Sequence, residues 1–223
     1  MQRMIEAGQE ETAYKLFKNM NWQALHLGVV GGLSENLDAY PHEGESWAKL
    51  TGAYLQAWSN AEQLRVWYQY FLGIRPDLIC GSLTLAPRIP QELNDLQVQV
   101  KVGSGVIEAD YNVSGAEKVF NYRFKDIDVT AEIDIAPFDK LELEVAAQGG
   151  LRISSTGQKL TVTLLDGSGN TVSTVEALPS AARIAQQQES DRIFTGVEFA
   201  APLPLDQHPV ILAKRAEVVE TEE

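Results

Sequence analysis

The residues of this chain that could do chemistry are concentrated in one loop-like stretch, "GVVGGLSENLDAYPHEGESWAKL", residues 28–50. The stretch contains four glycines and four acids, and the first of the acids is Glu35. A carboxylate on a flexible loop can take up or release a proton, which is the basic step of general acid–base catalysis. Stretches of more than about 12–15 residues without regular structure are usually functional or disordered. These acids are therefore the first candidates for a site, with a solvated loop as the alternative.

Other kinds of reaction find little support in the residue pattern. His26 and His42 stand among scattered acids without the spacing of metal ligands, so we predict no metal site and no cofactor. The single Cys80 cannot form an internal disulfide or a cysteine zinc site. Ser34 and Ser59 have no obvious His and Asp partners for a nucleophilic triad.

The distribution of charge excludes several classes of partner. The net charge is −13, divided between residues 1–90 (nine acids and seven bases, −2) and residues 91–223 (22 acids and 11 bases, −11). No basic stripe is present, so nucleic acid is not expected as a partner. The first 27 residues read as polar and amphipathic, and no apolar run reaches the roughly 20 residues of a membrane span. We predict a soluble, cytoplasmic protein with no membrane partner, while a targeting signal upstream of a longer chain stays open.

Two helices should position the loop. Residues after Thr12 follow the i, i+3, i+4 pattern of an amphipathic helix. A second helix is expected from about Thr51 to Leu72, with Gly73 as its C-terminal cap and apolar residues on all sides. An amphipathic helix followed by a fully apolar one is the pattern of a two-layer helical barrel, with outer and inner helices alternating. One hairpin cannot close such a barrel, so the apolar helix needs neighbours that the rest of the sequence does not supply.

The second half of the chain has the period-two alternation of β-strands. The apolar positions of residues 98–102, 107–111, 120–124 and 127–135 alternate with polar ones. Turn sequences occur at 103–105, 114–117 and 166–170. Short strands with frequent turns predict an antiparallel β-sandwich.

The predicted fold class is therefore α+β: a helical hairpin that would complete an (α/α)₆ barrel, followed by the sandwich. The expected boundaries are residues 1–78 for the hairpin, 79–94 for a linker, 95–215 for the sandwich and 216–223 for a disordered acidic tail.

Four motifs of the first half occur in a particular order: "GLSENLDA" (32–39), "QAWSNAEQLRVWY" (56–68), "FLGIRPDL" (71–78) and "LTLAPRIP" (83–90). Together they resemble the C-terminal end of glycogen debranching enzymes of the amylo-α-1,6-glucosidase type, within the six-hairpin glycosidases. The resemblance covers about residues 5–90. It implies that the apolar helix is an inner stave of a barrel whose other staves lie upstream, so that this chain is a C-terminal piece of a longer protein.

The same resemblance implies roles for individual residues. Glu35 matches the glutamate of a "GL-x-E" loop that looks like the family's general base. The residues at or near the start of the inner helix would bind substrate, since aromatic faces stack on sugar rings and an amide can hydrogen-bond a hydroxyl. They are Trp47, Tyr54, Gln56 and Trp58. Barrel packing is the alternative for the aromatic residues, and a buried pair of Glu62 with Arg65 is expected for the nearby carboxylate.

The resemblance implies a glycoside hydrolase that acts on α-1,6-linked glucan, with glycogen or maltodextrin as substrate. The family's general acid, an aspartate on an earlier hairpin, has no matching motif, so the chain alone is expected to be inactive. The uncovered helices would contact the upstream barrel or a second copy of the chain. Two alternatives stay open: a carbohydrate-binding or structural β-module with a helical docking hairpin, and a regulatory protein that no longer reacts.

Overall fold

A computed structural model of the chain describes residues 1–26, 31–37 and 50–198. The chain divides into two compact units. The first, here called the helical unit, draws its described residues mainly from Thr12–Arg65, and the second, called the β-unit, consists of Gln2–Glu11 and Val66–Gly196. The helices are α1 (Gln2–Glu6), α2 (Glu10–His26), α3 (Ala57–Arg65), a π-helix (Val66–Phe71), a 3₁₀ turn (Gln91–Leu93) and α4 (Ala181–Phe194).

The helical unit contains the larger part of α2, all of α3 and two short strands between them, β1 (Asn36–Leu37) and β2 (Leu50–Thr51). The strands pair antiparallel. The amide of Gln63 donates to Asn21 Oδ1 at 2.9 Å and so joins α3 to α2. Gln63 is buried, so this hydrogen bond is partly shielded from water. A shielded hydrogen bond is stronger than a solvent-exposed one and holds the two helices together more firmly.

Helix α3 begins at Ala57, later than the predicted start at Thr51. The reason lies in the backbone just before it. Thr51 pairs with Asn36 as part of β2, and Gly52 has a φ of +70°, a left-handed conformation that ends the strand and that glycine adopts readily. The helical run after α3 widens into the π-helix, where the N–H of Leu72 donates to Trp67 O at 3.0 Å, five residues back.

The apolar side chains predicted to need neighbours are uncovered in the first part of the run, whereas Val66, Phe71 and Leu72 at its end are buried. Trp58 is 65% exposed, and the exposed large apolar residues of this region also include Tyr54, Leu55, Leu64 and Tyr68. Single exposed apolar residues are ordinary on protein surfaces, whereas several along one segment are typical of a surface that contacts something else.

The β-unit contains the remaining ten strands: β3 (Ile74–Asp77), β4 (Ser82–Leu85), β5 (Leu96–Val102), β6 (Gly105–Ser114), β7 (Glu117–Lys125), β8 (Val129–Ile133), β9 (Leu141–Val145), β10 (Gly150–Ser155), β11 (Leu160–Leu165) and β12 (Thr171–Ala177). They form a six-stranded sheet in the order β12-β11-β10-β7-β6-β5 and a four-stranded sheet in the order β3-β4-β8-β9. All pairs are antiparallel except β4 with β8. The mixed α+β class and the sandwich-like pair of sheets agree with the sequence prediction.

The core of the β-unit lies between these two sheets. Ile107, Ala109, Tyr111 and Val113 alternate along β6 toward it, and residues of the four-stranded sheet such as Leu83 complete it. The hydroxyl of Tyr111 crosses this apolar layer and donates to the carbonyl oxygen of Leu72 at 3.0 Å. Burial raises the pKa of Tyr111 well above its usual range, so the phenol keeps its proton and remains a donor.

The segment predicted as a linker, 79–94, contains strand β4. Leu83 and Leu85 on this strand are completely buried, because both point into the core. β3 and β4 are joined by a turn that carries Cys80, which is exposed. The acidic tail predicted at 216–223 lies outside the described residues.

Replacing Tyr111 with phenylalanine should destabilise the chain by about 1–3 kcal/mol, because the Leu72 carbonyl would stay buried without its donor. The measurement is chemical denaturation of the wild-type and variant chains. Tyr68→Phe is the matched control, since Tyr68 is exposed and the loss of its hydroxyl should leave the unfolding midpoint nearly unchanged. Equal stabilities for Tyr111→Phe and wild type would contradict the role given to this hydrogen bond.

Candidate functional site

The segment that contains Glu35 is held against the residues leading into α3. The N–H of Glu35 donates to Ala53 O at 2.8 Å, and the N–H of Gln56 donates to Leu33 O at 2.9 Å. The N–H of Leu33 donates in turn to the side chain of Asn60, at 2.8 Å from Oδ1. Three hydrogen bonds therefore fix residues 33–35 beside the first turn of α3.

The carboxylate of Glu35 is presented on the surface by this arrangement. One oxygen, Oε2, accepts a hydrogen bond from the N–H of Ala53 at 3.2 Å. Glu35 is exposed, and its other oxygen makes no hydrogen bond to the described residues. A carboxylate held at one oxygen and open at the other can orient a water molecule and accept its proton.

Gly52 leaves the space that the carboxylate occupies. A Cβ at position 52 would lie only 2.6 Å from Glu35 Oε2, and the φ of +70° already disfavours any other residue. Any larger residue at 52 would therefore move the carboxylate of Glu35 as well as strain the backbone.

The predicted substrate-binding residues occupy the same short region, as far as the structure describes them. Tyr54 follows Ala53 and is 61% exposed, and Trp58 lies in the first turn of α3. Gln56 is half-buried, with its backbone N–H bonded to Leu33. No hydrogen bond within the described residues joins Glu35 to either ring. Trp47 lies outside the described residues, as do His42, Glu43 and Glu45.

The second nearby carboxylate, Glu62, behaves partly as predicted. The guanidinium of Arg65 binds it through two hydrogen bonds, at 2.9 Å from Nε to Oε1 and 2.8 Å from Nη2 to Oε2. The predicted i, i+3 pair is thus confirmed. Its predicted burial is wrong, because both side chains lie on a solvent-facing side of α3, with 55% of Glu62 and 38% of Arg65 exposed.

Two features of residues 1–26, 31–37 and 50–198 bear on other functions. No group of three or more His, Cys, Asp or Glu side chains among them could hold a metal ion. None of their helices combines the length and the apolar character that crossing a membrane requires.

Two positioning residues were missed by the sequence prediction. Asn60 and Gly52 do not react, but they fix the backbone and the carboxylate of the Glu35 segment. The only signal for Asn60 is an asparagine inside an apolar helical run, where it is a poor helix former and often bonds to backbone groups. Gly52 has no signal beyond being a glycine just ahead of the helix.

Comparisons of the chain with protein-family models, with curated proteins and with solved structures found no match. Function is therefore inferred from the arrangement of the residues and from the motif resemblance.

Substitution of Asn60 by alanine should loosen the Glu35 segment. The amide of Leu33 would lose its acceptor, and its hydrogen exchange should become about five- to tenfold faster, the effect of losing one hydrogen bond of ~1 kcal/mol. Asn60→Asp keeps an acceptor oxygen and serves as the control, with exchange close to wild type. The measurement is amide hydrogen exchange by NMR. Unchanged protection of the Leu33 amide in Asn60→Ala would show that Asn60 does not hold the Glu35 segment in place.

Proposed function

We propose that this chain is the C-terminal part of a glycoside hydrolase that acts on α-1,6-linked glucan, with Glu35 as the general base. The observation that carries the proposal is the exposed Glu35 carboxylate, held beside the start of α3 within the motif order of the debranching family. Glycogen or maltodextrin is the substrate class that goes with this family.

The chemistry requires two carboxyl groups. In an inverting glycosidase the base takes a proton from water, the water oxygen attacks the anomeric carbon, and a carboxylic acid protonates the departing glycosidic oxygen. The two groups stand about 6.5–9.5 Å apart to leave room for the water. Glu35 supplies the base, and the acid comes from the upstream part of the protein, so this chain alone does not turn over substrate.

The exposed aromatic residues beside Glu35 fit the same proposal. Tyr54 and Trp58 offer faces on which pyranose rings stack through their C–H bonds. Trp47 and the side chain of Gln56 complete the proposed subsite, the amide as a partner for a sugar hydroxyl.

The proposed partner of the uncovered apolar side chains is the upstream part of the barrel. Leu55 and Leu64 would be covered by the preceding staves of an (α/α)₆ barrel in the full protein. In the isolated chain a second copy would be the substitute. The proposed compartment is the cytoplasm.

The decisive substitution is Glu35→Gln in the longer protein that ends in this chain. Removing a general base should lower kcat by a factor of about 10²–10⁴, while binding of a limit dextrin is retained because the amide preserves the shape of the side chain. Glu62→Gln is the matched control: the residue is also exposed but is paired with Arg65, and kcat should not change. Glucose release and calorimetric binding are the measurements. Wild-type turnover in Glu35→Gln would end the catalytic proposal.

The size of the natural protein gives an independent prediction. An antibody against this C-terminus should detect a species several-fold heavier than the 24.6 kDa of the chain, and the purified chain should release no glucose from a limit dextrin. A natural species of 24.6 kDa would mean that no upstream staves and no general acid exist, which would contradict the proposed function. Glucose release by the purified chain would show that the proposed division of the two carboxyl groups is wrong.

A further inference from the structure

The outward face of the six-stranded sheet carries a groove of about 580 Å³. Its floor is formed by β5, β6, β7 and the start of β10, and its wall by Gln148 and the turn after β11, with Asp166 and Gly167. All of these residues belong to the β-unit. Of the described residues proposed to act on substrate, none lines the groove.

Strand register places two rows of polar side chains across the floor. Gln97 pairs with Asp110, which pairs with Asn121. One step along the strands, the second row is Gln99, Glu108 and Arg123, and Gly150 continues it on β10. Residues paired across neighbouring strands point to the same face, about 4.7–4.9 Å apart. Each row therefore offers one polar side chain on each of β5, β6 and β7.

Glycines leave the groove open beside these rows. Gly150 follows Arg123 in the register but has no side chain, so the row ends in a space. A Cβ at Gly150 would lie 2.8 Å from Tyr122 O, and one at Gly149 would lie 2.8 Å from Ala146 O, so neither position accepts a side chain without a shift of backbone. The wall itself is firm, because Asp166 accepts hydrogen bonds from the N–H groups of Ser168 and Asn170 at 2.9 and 2.8 Å.

Several of the polar groups in the groove are uncommitted. The side chains of Gln97, Asp110 and Asn121 make no hydrogen bond to the described residues, whereas Glu108 is bonded to Lys125 and to Gln99. The bond from Lys125 lowers the pKa of the Glu108 carboxyl, which therefore stays ionised near neutral pH. Both donors and acceptors face the space.

The charges in and around the groove nearly balance. Glu108, Asp110 and Asp166 are offset in part by Arg123 and by Lys125, which is bonded to Glu108. A polyanion would meet three carboxylates here, and a cation would meet a guanidinium. A neutral ligand that gives and accepts hydrogen bonds fits this pattern better than either.

We infer that this groove binds a neutral oligosaccharide, at a site distinct from the one that contains Glu35. Amide, carboxylate and guanidinium groups can each bond to two adjacent hydroxyls, and the spacing of the strands is close to the length of one sugar residue. The only aromatic residue in the lining is Tyr122, whose ring belongs to the buried core. Binding rests on hydrogen bonds without a stacking platform, so the affinity is in the millimolar range.

The test is an NMR titration of the whole chain with maltoheptaose, cellohexaose and xylohexaose. Maltoheptaose comes first because an α-glucan is the substrate class of the proposed function, but the hydrogen-bonding groups of the groove could bind any of the three. Binding should shift backbone amides of residues 97–99, 108–110, 121–123 and 148–150. If no neutral oligosaccharide shifts these amides at tens of millimolar, or if shifts occur only elsewhere, the inference is overturned.

Substitutions locate the binding. Asp110→Ala and Asn121→Ala should each raise the Kd by about five- to tenfold, the effect of one lost hydrogen bond. Asn112→Ala is the matched control, because Asn112 lies on β6 on the same face as Asp110 but does not line the groove. Equal weakening by all three variants, or none by the first two, would contradict the site.

The two proposals fail separately. Glu35→Gln should leave the titration unchanged, because Glu35 is not part of the groove. Loss of hydrolysis in that variant with intact binding to the groove supports both proposals. Hydrolysis that persists overturns only the catalytic role of Glu35. A titration that shows no binding overturns only the inference that the groove binds oligosaccharide.

Discussion

The alternation of side chains along β6 and β7 is the constraint on which the β-unit depends. Ile107, Ala109 and Tyr111 fill the layer between the sheets, and Glu108 and Asp110 between them face outward. A slip of one residue would exchange the two sets, placing carboxylates in an apolar core, so burial fixes the register very strongly. The polar rows of the outward face are aligned by the same register. The order of the groove is thus a consequence of the packing of the core.

Much of the fold can be predicted from the sequence, because period-two alternation is a local signal. The strands that contain Phe120 or Ala131 stand out in this way, and so do the turns between them. Strand β3 is different, since the sequence prediction assigned residues 1–78 to the helical hairpin, and a proline such as Pro76 is acceptable in a strand only at an edge like this one. The parallel pairing of Leu83 with Ala131 joins residues far apart in the chain, and no local sequence pattern predicts it.

The two candidate sites differ in how much of them the sequence reveals. Glu35 is found through its motif and its glycine-rich surroundings, but its support by Asn60 depends on how a loop folds back over a helix. The groove cannot be predicted from the sequence, because any antiparallel sheet with one solvated face has outward polar residues such as Asp110. Its concavity comes from Gly150 and from the turn at Asp166, two features that only the assembled sheet brings together.

Cys80 gives the molecule a practical property. It is the sole cysteine in the sequence and lies exposed on the turn between β3 and β4. The hydrogen bond to Asp77 raises the pKa of its thiol, so coupling to a maleimide dye is slower than usual near neutral pH but is directed to one atom. Each chain then carries one fluorophore, and the number of bleaching steps in a single-molecule trace equals the number of chains in an assembly.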